Sequence, residues 1–366
     1  MTTQSGITIA GPNAPYTVVD NIPRPTPGPS QALVKSLYVG LNPVQVAFPS
    51  LATTKSNIFN REPFMQHTGL LIDEFPAVLG SDVSGIVLEV GADCKKLSKG
   101  DYVFGCVPIG RNQLSPFQET FLVEEDWIFK KPENVGLEEA CTIGAAVLTA
   151  GLALVDGQNI TLPAPGTQAE SKDSWVVVMG GSGSVGQYAC QLASLAGYKV
   201  LASSSPSKTN IPLDFGAVGT FNNRAPLDEQ LVAIGAITGG KFGHIFDASI
   251  VSFELSIKAF EELSTETKKY FSTADDWSDI SVPESISLYR VMLGQLGKVD
   301  TPRGKHITDL VVELTRKYEQ YLELGELKAL DYELLPGVGW SGVVNGIADY
   351  EAGKLSKKAV VKVQDE

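Results

Sequence analysis

The stretch "VVVMGGSGSVGQ" at 176–187 limits the fold more than any other part of this chain. Four apolar residues, Val176 to Met179, run into Gly180, Gly181, Ser182, Gly183, Ser184, Val185 and Gly186, after which Ala189, Leu192 and Leu195 repeat at helical spacing. A buried strand that ends in Gly-x-Gly-x-x-Gly and turns into a helix aims bare backbone N–H groups at a phosphate. In that setting Gly181 makes the tight turn, Gly183 lets a pyrophosphate approach the backbone, and Gly186 lets the helix pack closely on the strand. Ser182, Ser184 and Val185 complete the candidate phosphate loop. The motif by itself is weak in a chain with 36 glycines, and its strand-to-helix setting gives it weight.

The segments that follow alternate. Strand "WVVVMGG", helix "SVGQYACQLASLAG", strand "YKVLASS", a helix near "SKTNIPLDFGA", strand "VGTFNN", helix "LDEQLVAIGAITGG" and strand "HIFDAS" spell the order of a doubly wound parallel sheet. Sites that prefer NAD place Asp or Glu at the end of the second strand, roughly 20 residues past the glycines, to hold the ribose 2′-OH. Here Ser203, Ser204 and Ser205 stand there, followed by Lys208. Hydroxyls and a cation without a carboxylate suit the 2′-phosphate of NADP(H).

Ahead of this half lie "ALVKSLYVG" and "PAVLGSDVSGIVLEVGADCKKLSKGDYVFGCV", β-branched runs cut by glycine at short intervals, the pattern of a compact β barrel with bulges. Within it Asp82 reads as a turn carboxylate serving the backbone of "GSDVSG". A helical period starts at "LEEACTIGAAVLTAGLALV", and "DGQNITLPAPGTQAESKDS" reads as a surface loop. The region "DDWSDISVPESISLYRVMLGQLGKVDTPRGK" has no clean period; "ITDLVVELTRKYEQYLELGELK" is an amphipathic helix, and "GVVNGIADYEAGKLSKKAVVKVQ" reads as helix, turn and final strand.

With 42 Asp plus Glu against 29 Lys plus Arg and no basic block, nucleic acid is excluded as a partner. No stretch reads as a signal peptide or bilayer span, so a cytoplasmic protein without membrane association is expected. Cys94, Cys106, Cys141 and Cys190 are far apart and only three histidines accompany them, which points to reduced, buried thiols and no metal site.

Spread along the chain, "GLNPVQ", "LGSDVSGIVLEVG", "KGDYVFG", "MGGSGSVGQYACQLASLAGYKVLASSS" and "GKLSKKAVVKV" resemble the zinc-independent medium-chain dehydrogenases/reductases. "LTAGLAL", "ITLPAP" and "FNNRAP" look most like the fungal enoyl reductases that act in trans with polyketide synthases. The resemblance implies an α/β architecture: a GroES-like β-barrel substrate domain over 1–147 and 328–366, and a Rossmann NADP-binding domain over 148–327. It implies cofactor contacts at Asn42 and Pro43, at Asn223, and at Ser356 and Lys357. Zinc members carry Cys near position 42 and Gly-His-Glu where this chain has Gly80, Ser81 and Asp82; Asn and Ser are poor replacements on a soft metal.

The implied reaction is reduction of an activated C=C bond, hydride going from NADPH to the β-carbon of a lipophilic enoyl or enone substrate of polyketide-type secondary metabolism. Resembling enzymes place a Tyr or Lys after the Asn-Pro motif and an amide just after "FDASI"; this chain has Ala47 and Val251 there. Gln45, His67 and a solvent proton are substitutes as proton source. Thr149 matches a cleft-lining Thr, with a helix-interior hydroxyl bonded to its own backbone as the alternative. The missing side chains keep a second function open: a non-redox catalyst, such as a cyclase, or a synthase partner on the same NADP-binding scaffold. Pro283 and Pro302 interrupt the region where edge strands would pair two subunits, which favours a monomer over a homodimer.

Overall fold

A computed structural model of the chain describes residues 2–42, 64–274 and 280–366. It divides into two compact units, one of 1–145, 294–323 and 328–366, the other of 146–293 and 324–327.

In the first unit the ten-residue strand Gln31–Gly40 is the hub. It pairs antiparallel with Asp82–Val90, with Thr120–Glu124 along its first half, and with Lys358–Lys362 at its last three residues. The register shifts between Leu33 and Val34 and between Ser36 and Tyr38, the bulges that bend a small sheet around its core. Gly85 permits this bend, because a Cβ there would lie 2.2 Å from the Lys35 carbonyl oxygen. Ile9, Val34, Val83, Val103, Phe121 and Val361 belong to the core that results. The strand Tyr332–Val338 closes one end of the seven-stranded order, and Thr17–Pro23, Thr3–Ile9 and Ala77–Val78 form a separate small sheet. N- and C-terminal segments therefore meet in one unit.

Residues 294–323 group with this first unit, whereas the sequence reading placed them in the second. The reason lies in the helix Pro302–Glu323, whose polar face is bound by first-unit partners. Glu319 accepts the Lys130 N–H at 2.6 Å and pairs with Lys96 at 2.7 Å, and Arg316 pairs with Asp126 at 2.8 Å.

The second unit is built on six parallel strands in the spatial order Gly219–Asn222, Lys199–Ser204, Trp175–Met179, Phe242–Asp247, Lys269–Thr273, Ile286–Arg290. Numbered along the chain this is 3-2-1-4-5-6, the doubly wound order, whose direction reverses between Trp175–Met179 and Phe242–Asp247. Val176 to Met179 are all fully buried, since a parallel sheet is covered on both faces. The sixth strand corrects the sequence reading. Pro283 and Pro302 do not break it, because both lie outside Ile286–Arg290 and an edge strand needs only one paired side.

His244, on the fourth strand, stacks on Tyr270 and meets Tyr198 edge-on, with ring centroids 5.3 and 5.2 Å away. Burial, reinforced by nearby Lys172, pushes its pKa from the ordinary 6.5 down to about 4. The unfolded chain therefore binds a proton that the folded chain refuses, and the protein loses stability as pH falls from about 6.5 to about 4. His244→Phe is expected to flatten that part of the profile by on the order of 2 kcal/mol in urea titrations at a series of pH values. An unchanged acid limb would mean that other groups carry it.

Candidate functional site

The glycine turn sits at the carboxyl end of the first strand, beside the reversal point. Its positive φ falls at Gly180 (+78°), one residue earlier than the sequence spacing implies. Gly180 donates its N–H to the Ser203 hydroxyl and Gly181 donates to the Ser203 carbonyl, both at 2.8 Å, so the turn is clamped to the end of the second strand. Each glycine meets a different environment. A Cβ at Gly181 would lie 2.6 Å from Ala202 Cβ, and one at Gly186 would lie 2.2 Å from the Gly180 carbonyl oxygen. At Gly183 the nearest atom would be Gly180 O at 3.4 Å, an ordinary contact. The exposed Gly183 is also the N-cap of the helix Ser184–Leu195, which has no side-chain cap. Ser184 and Val185 thus present N–H groups that no intrahelical carbonyl can reach, at the positive end of the helix dipole. Bare backbone, open space and a positive dipole fit a pyrophosphate.

Across the reversal point, Asp247 ends the fourth strand and organises the loop after it. One oxygen accepts the N–H groups of Ser249 and Ile250 at 3.0 and 2.8 Å and the Ser249 hydroxyl at 2.6 Å; the other accepts the Ser252 N–H at 2.9 Å. Asp247 is buried, and desolvation raises its pKa against the pull of these donors. The loop holds Ile250 at φ +66°, a costly conformation for a β-branched residue. It lies close over the glycine turn: a Cβ at Gly180 would be 2.9 Å from Ser249 Cβ. Val251, at the tip, is half exposed.

The serines at the end of the second strand are all buried. Ser203 is buried and spent on the Gly180 N–H; Ser204 is fully buried, and its hydroxyl has no hydrogen-bond partner among the described residues. Neither is presented to solvent. Ser205 is buried too and shares a hydrogen bond with Ser207 at 3.3 Å, and the short turn Pro206–Lys208 carries the accessible side chains. Asn223 is exposed beside it, its N–H donated to the Ser204 carbonyl at 3.0 Å. Thr149 lies half-buried in the helix Gly144–Gly151, which runs on into a π-helical turn, Leu152–Asp156. Its hydroxyl makes no hydrogen bond among the described residues, contrary to the alternative of a bond to its own backbone.

In the first unit, Asn42, Ser81 and Asp82 converge on a residue that the sequence reading passed over. The Lys358 ammonium lies 2.7 Å from Asp82 Oδ2 and 2.6 Å from Asn42 Oδ1. Asn42 Nδ2 donates to Asp82 Oδ2 at 2.8 Å and to the Ser81 hydroxyl at 3.2 Å, while Asp82 Oδ1 accepts the Ala145 N–H at 2.7 Å. Asp82 is therefore half of a buried ion pair rather than a turn carboxylate. The neighbouring Ser356 and Lys357 are exposed, and Lys357 pairs with Asp331 at 3.1 Å. Pro43 and Gln45 lie outside the described residues; for His67 only its place in the helix Phe64–Thr68 is described. The thiols of Cys141 and Cys190 are buried and pushed up to about 12 by desolvation, which removes them as nucleophiles. Among the described residues no group of three or more His, Cys, Asp or Glu could hold a metal, and no helix is long and apolar enough to cross a membrane.

The model of the alcohol dehydrogenase GroES-like domain matches residues 28–133. The whole chain superposes on a putative zinc-dependent alcohol dehydrogenase protein from Rhizobium etli CFN 42 with a TM-score of 0.76, 21% identity and full coverage of both chains. The chain has the medium-chain dehydrogenase/reductase fold. Another structure with this medium-chain dehydrogenase/reductase fold, mycobacterial Rv1454c complexed with NADPH, aligns at a TM-score of 0.68 and 19% identity over 98% of this chain and 99% of that one. In sequence, a trans-enoyl reductase of Gibberella fujikuroi is 26% identical over 94% of this chain and 95% of its own.

Proposed function

We propose that this chain is an NADPH-dependent reductase of an activated C=C bond, acting on a polyketide-type enoyl thioester or enone and serving a separate polyketide synthase. The observation that carries the reading is the open Gly183 beside the uncapped N–H groups of Ser184 and Val185 at the sheet's reversal point. Similarity along nearly the whole chain to a trans-enoyl reductase supports the choice of reaction, and NADPH on the same fold in the mycobacterial protein supports the cofactor.

Backbone amides 184 and 185 would hold the pyrophosphate, with Ser182 beside them. Ser207 and Lys208 would meet the 2′-phosphate, with the buried Ser205 bracing Ser207 through their shared hydrogen bond, because no carboxylate ends the second strand and Ser203 and Ser204 are covered. When bound, the nicotinamide supplies a hydride to the substrate β-carbon. The half-buried Thr149 hydroxyl, spare among the described residues, is the group proposed to donate a hydrogen bond or pass a proton. Asn42 and Ser81 are poor zinc ligands, and an ammonium already lies within 3 Å of Asn42 and Asp82, so the proposed chemistry needs no metal.

The test is to add NADPH and an α,β-unsaturated thioester and follow nicotinamide absorbance. NADPH should be consumed and NADH used far more slowly. Lys208→Ala should weaken NADPH on the order of tenfold while leaving NADH unchanged. If NADPH binds but is never consumed across a broad enone panel while a biosynthetic intermediate is still converted, the non-redox reading prompted by Ala47 and Val251 replaces this one.

A further inference from the structure

We propose that Lys358 is a positioning residue, acting through Asn42 and through Asp82 on the start of the helix that carries Thr149, an inference that rests on the reductase reading. An ammonium only donates, so Lys358 fixes which way the Asn42 amide points: oxygen toward Nζ at 2.6 Å, nitrogen toward Asp82 at 2.8 Å and Ser81 at 3.2 Å. Asp82 then ties the arrangement to a third segment through the Ala145 N–H at 2.7 Å. The end of the hub strand, the start of Asp82–Val90 and the start of the helix that carries Thr149 are thereby held by one buried pair.

The space for it is made by two glycines. A Cβ at Gly40 would lie 3.1 Å from Lys358 Cε and 2.7 Å from the Cys141 carbonyl, and one at Gly144 would lie 2.5 Å from Asp82 Oδ1. The Lys358 and Asp82 side chains are 4% and 0% exposed. A pair so buried is a poor stability device, because desolvating two charges offsets most of their attraction and apolar replacements often serve as well. What the pair contributes that apolar side chains do not is one fixed orientation of the Asn42 amide and of the backbone that carries it.

The experiment compares wild type with Asn42→Leu, with the double variant Asp82→Asn/Lys358→Met, and with the triple. The double variant removes both charges, so no unpaired carboxylate is left to unfold the chain. Melting temperature, NADPH affinity, affinity of the NADP complex for a saturated acyl thioester, and kcat/KM are measured. Melting temperature should stay near wild type in the double variant, because both charges leave together, and NADPH affinity should fall equally in the single, double and triple variants, because Asn42 is itself an expected cofactor contact. kcat/KM should fall on the order of a hundredfold in the single and double variants, and no further in the triple. Wild-type kcat/KM in the double variant, or additive losses in the triple, would overturn the role of Lys358. A wild-type protein that turns over no enone would overturn the reductase reading instead. Acyl-thioester affinity then decides on Lys358: an equal, non-additive loss supports positioning, and no loss refutes it.

Discussion

Gly186→Val is expected to lose cofactor binding and about 3 kcal/mol of folding stability together. The added Cβ would sit 2.2 Å from the Gly180 carbonyl oxygen and 2.8 Å from both Gly180 C and Gly181 Cα, all backbone atoms that no rotamer change can move. The helix Ser184–Leu195 must retreat, taking the Ser184 and Val185 N–H groups away from the proposed pyrophosphate seat. Gly183→Ala is the informative contrast. Its φ of −79° suits alanine and its Cβ meets only Gly180 O at 3.4 Å, so melting should hardly change. Yet the methyl occupies the approach of the pyrophosphate, and NADPH affinity should drop at least tenfold in fluorescence titration, as expected where a close backbone contact is blocked. Wild-type affinity in Gly183→Ala would remove the glycine turn as the phosphate seat.

Asp247→Ala is expected to cost about 3 kcal/mol in urea denaturation. Four hydrogen bonds end on this carboxylate, and without it the loop N–H groups lose a buried acceptor while Ile250 keeps a strained φ of +66°. Asp247→Asn keeps the shape and one acceptor oxygen, and should cost about half as much. Because Ser249 lies against Gly180, the alanine variant should weaken NADPH binding as well. A loss below about 1 kcal/mol would show that the backbone holds the loop by itself.

The parallel sheet and its glycine turn were legible because their signals are local: an apolar run, glycines at fixed spacing, then helical period. What was misread depended on pairing across the chain. Lys357 and Lys358 look equivalent in "SKKAVV", but side chains alternate along a strand. Only the register that sets Val360 opposite Gly40 turns Lys358 inward to Asp82 and leaves Lys357 on the surface. The strand Tyr332–Val338 carries Pro336 and Gly337, poor strand formers that an end position in the sheet tolerates. Ser203 and Ser204 read as phosphate ligands by spacing alone, and the packing of the second strand against the first covers both.

The sequence by itself determined the alternation of strands and helices and the glycine turn at the end of the first strand, because both follow from short-range period and from the missing side chains of Gly181, Gly183 and Gly186. Tertiary structure alone decided that Asn42, Asp82 and Lys358 form one buried unit. Residues separated by 40 and 276 positions are brought together by strand register, which no local pattern encodes.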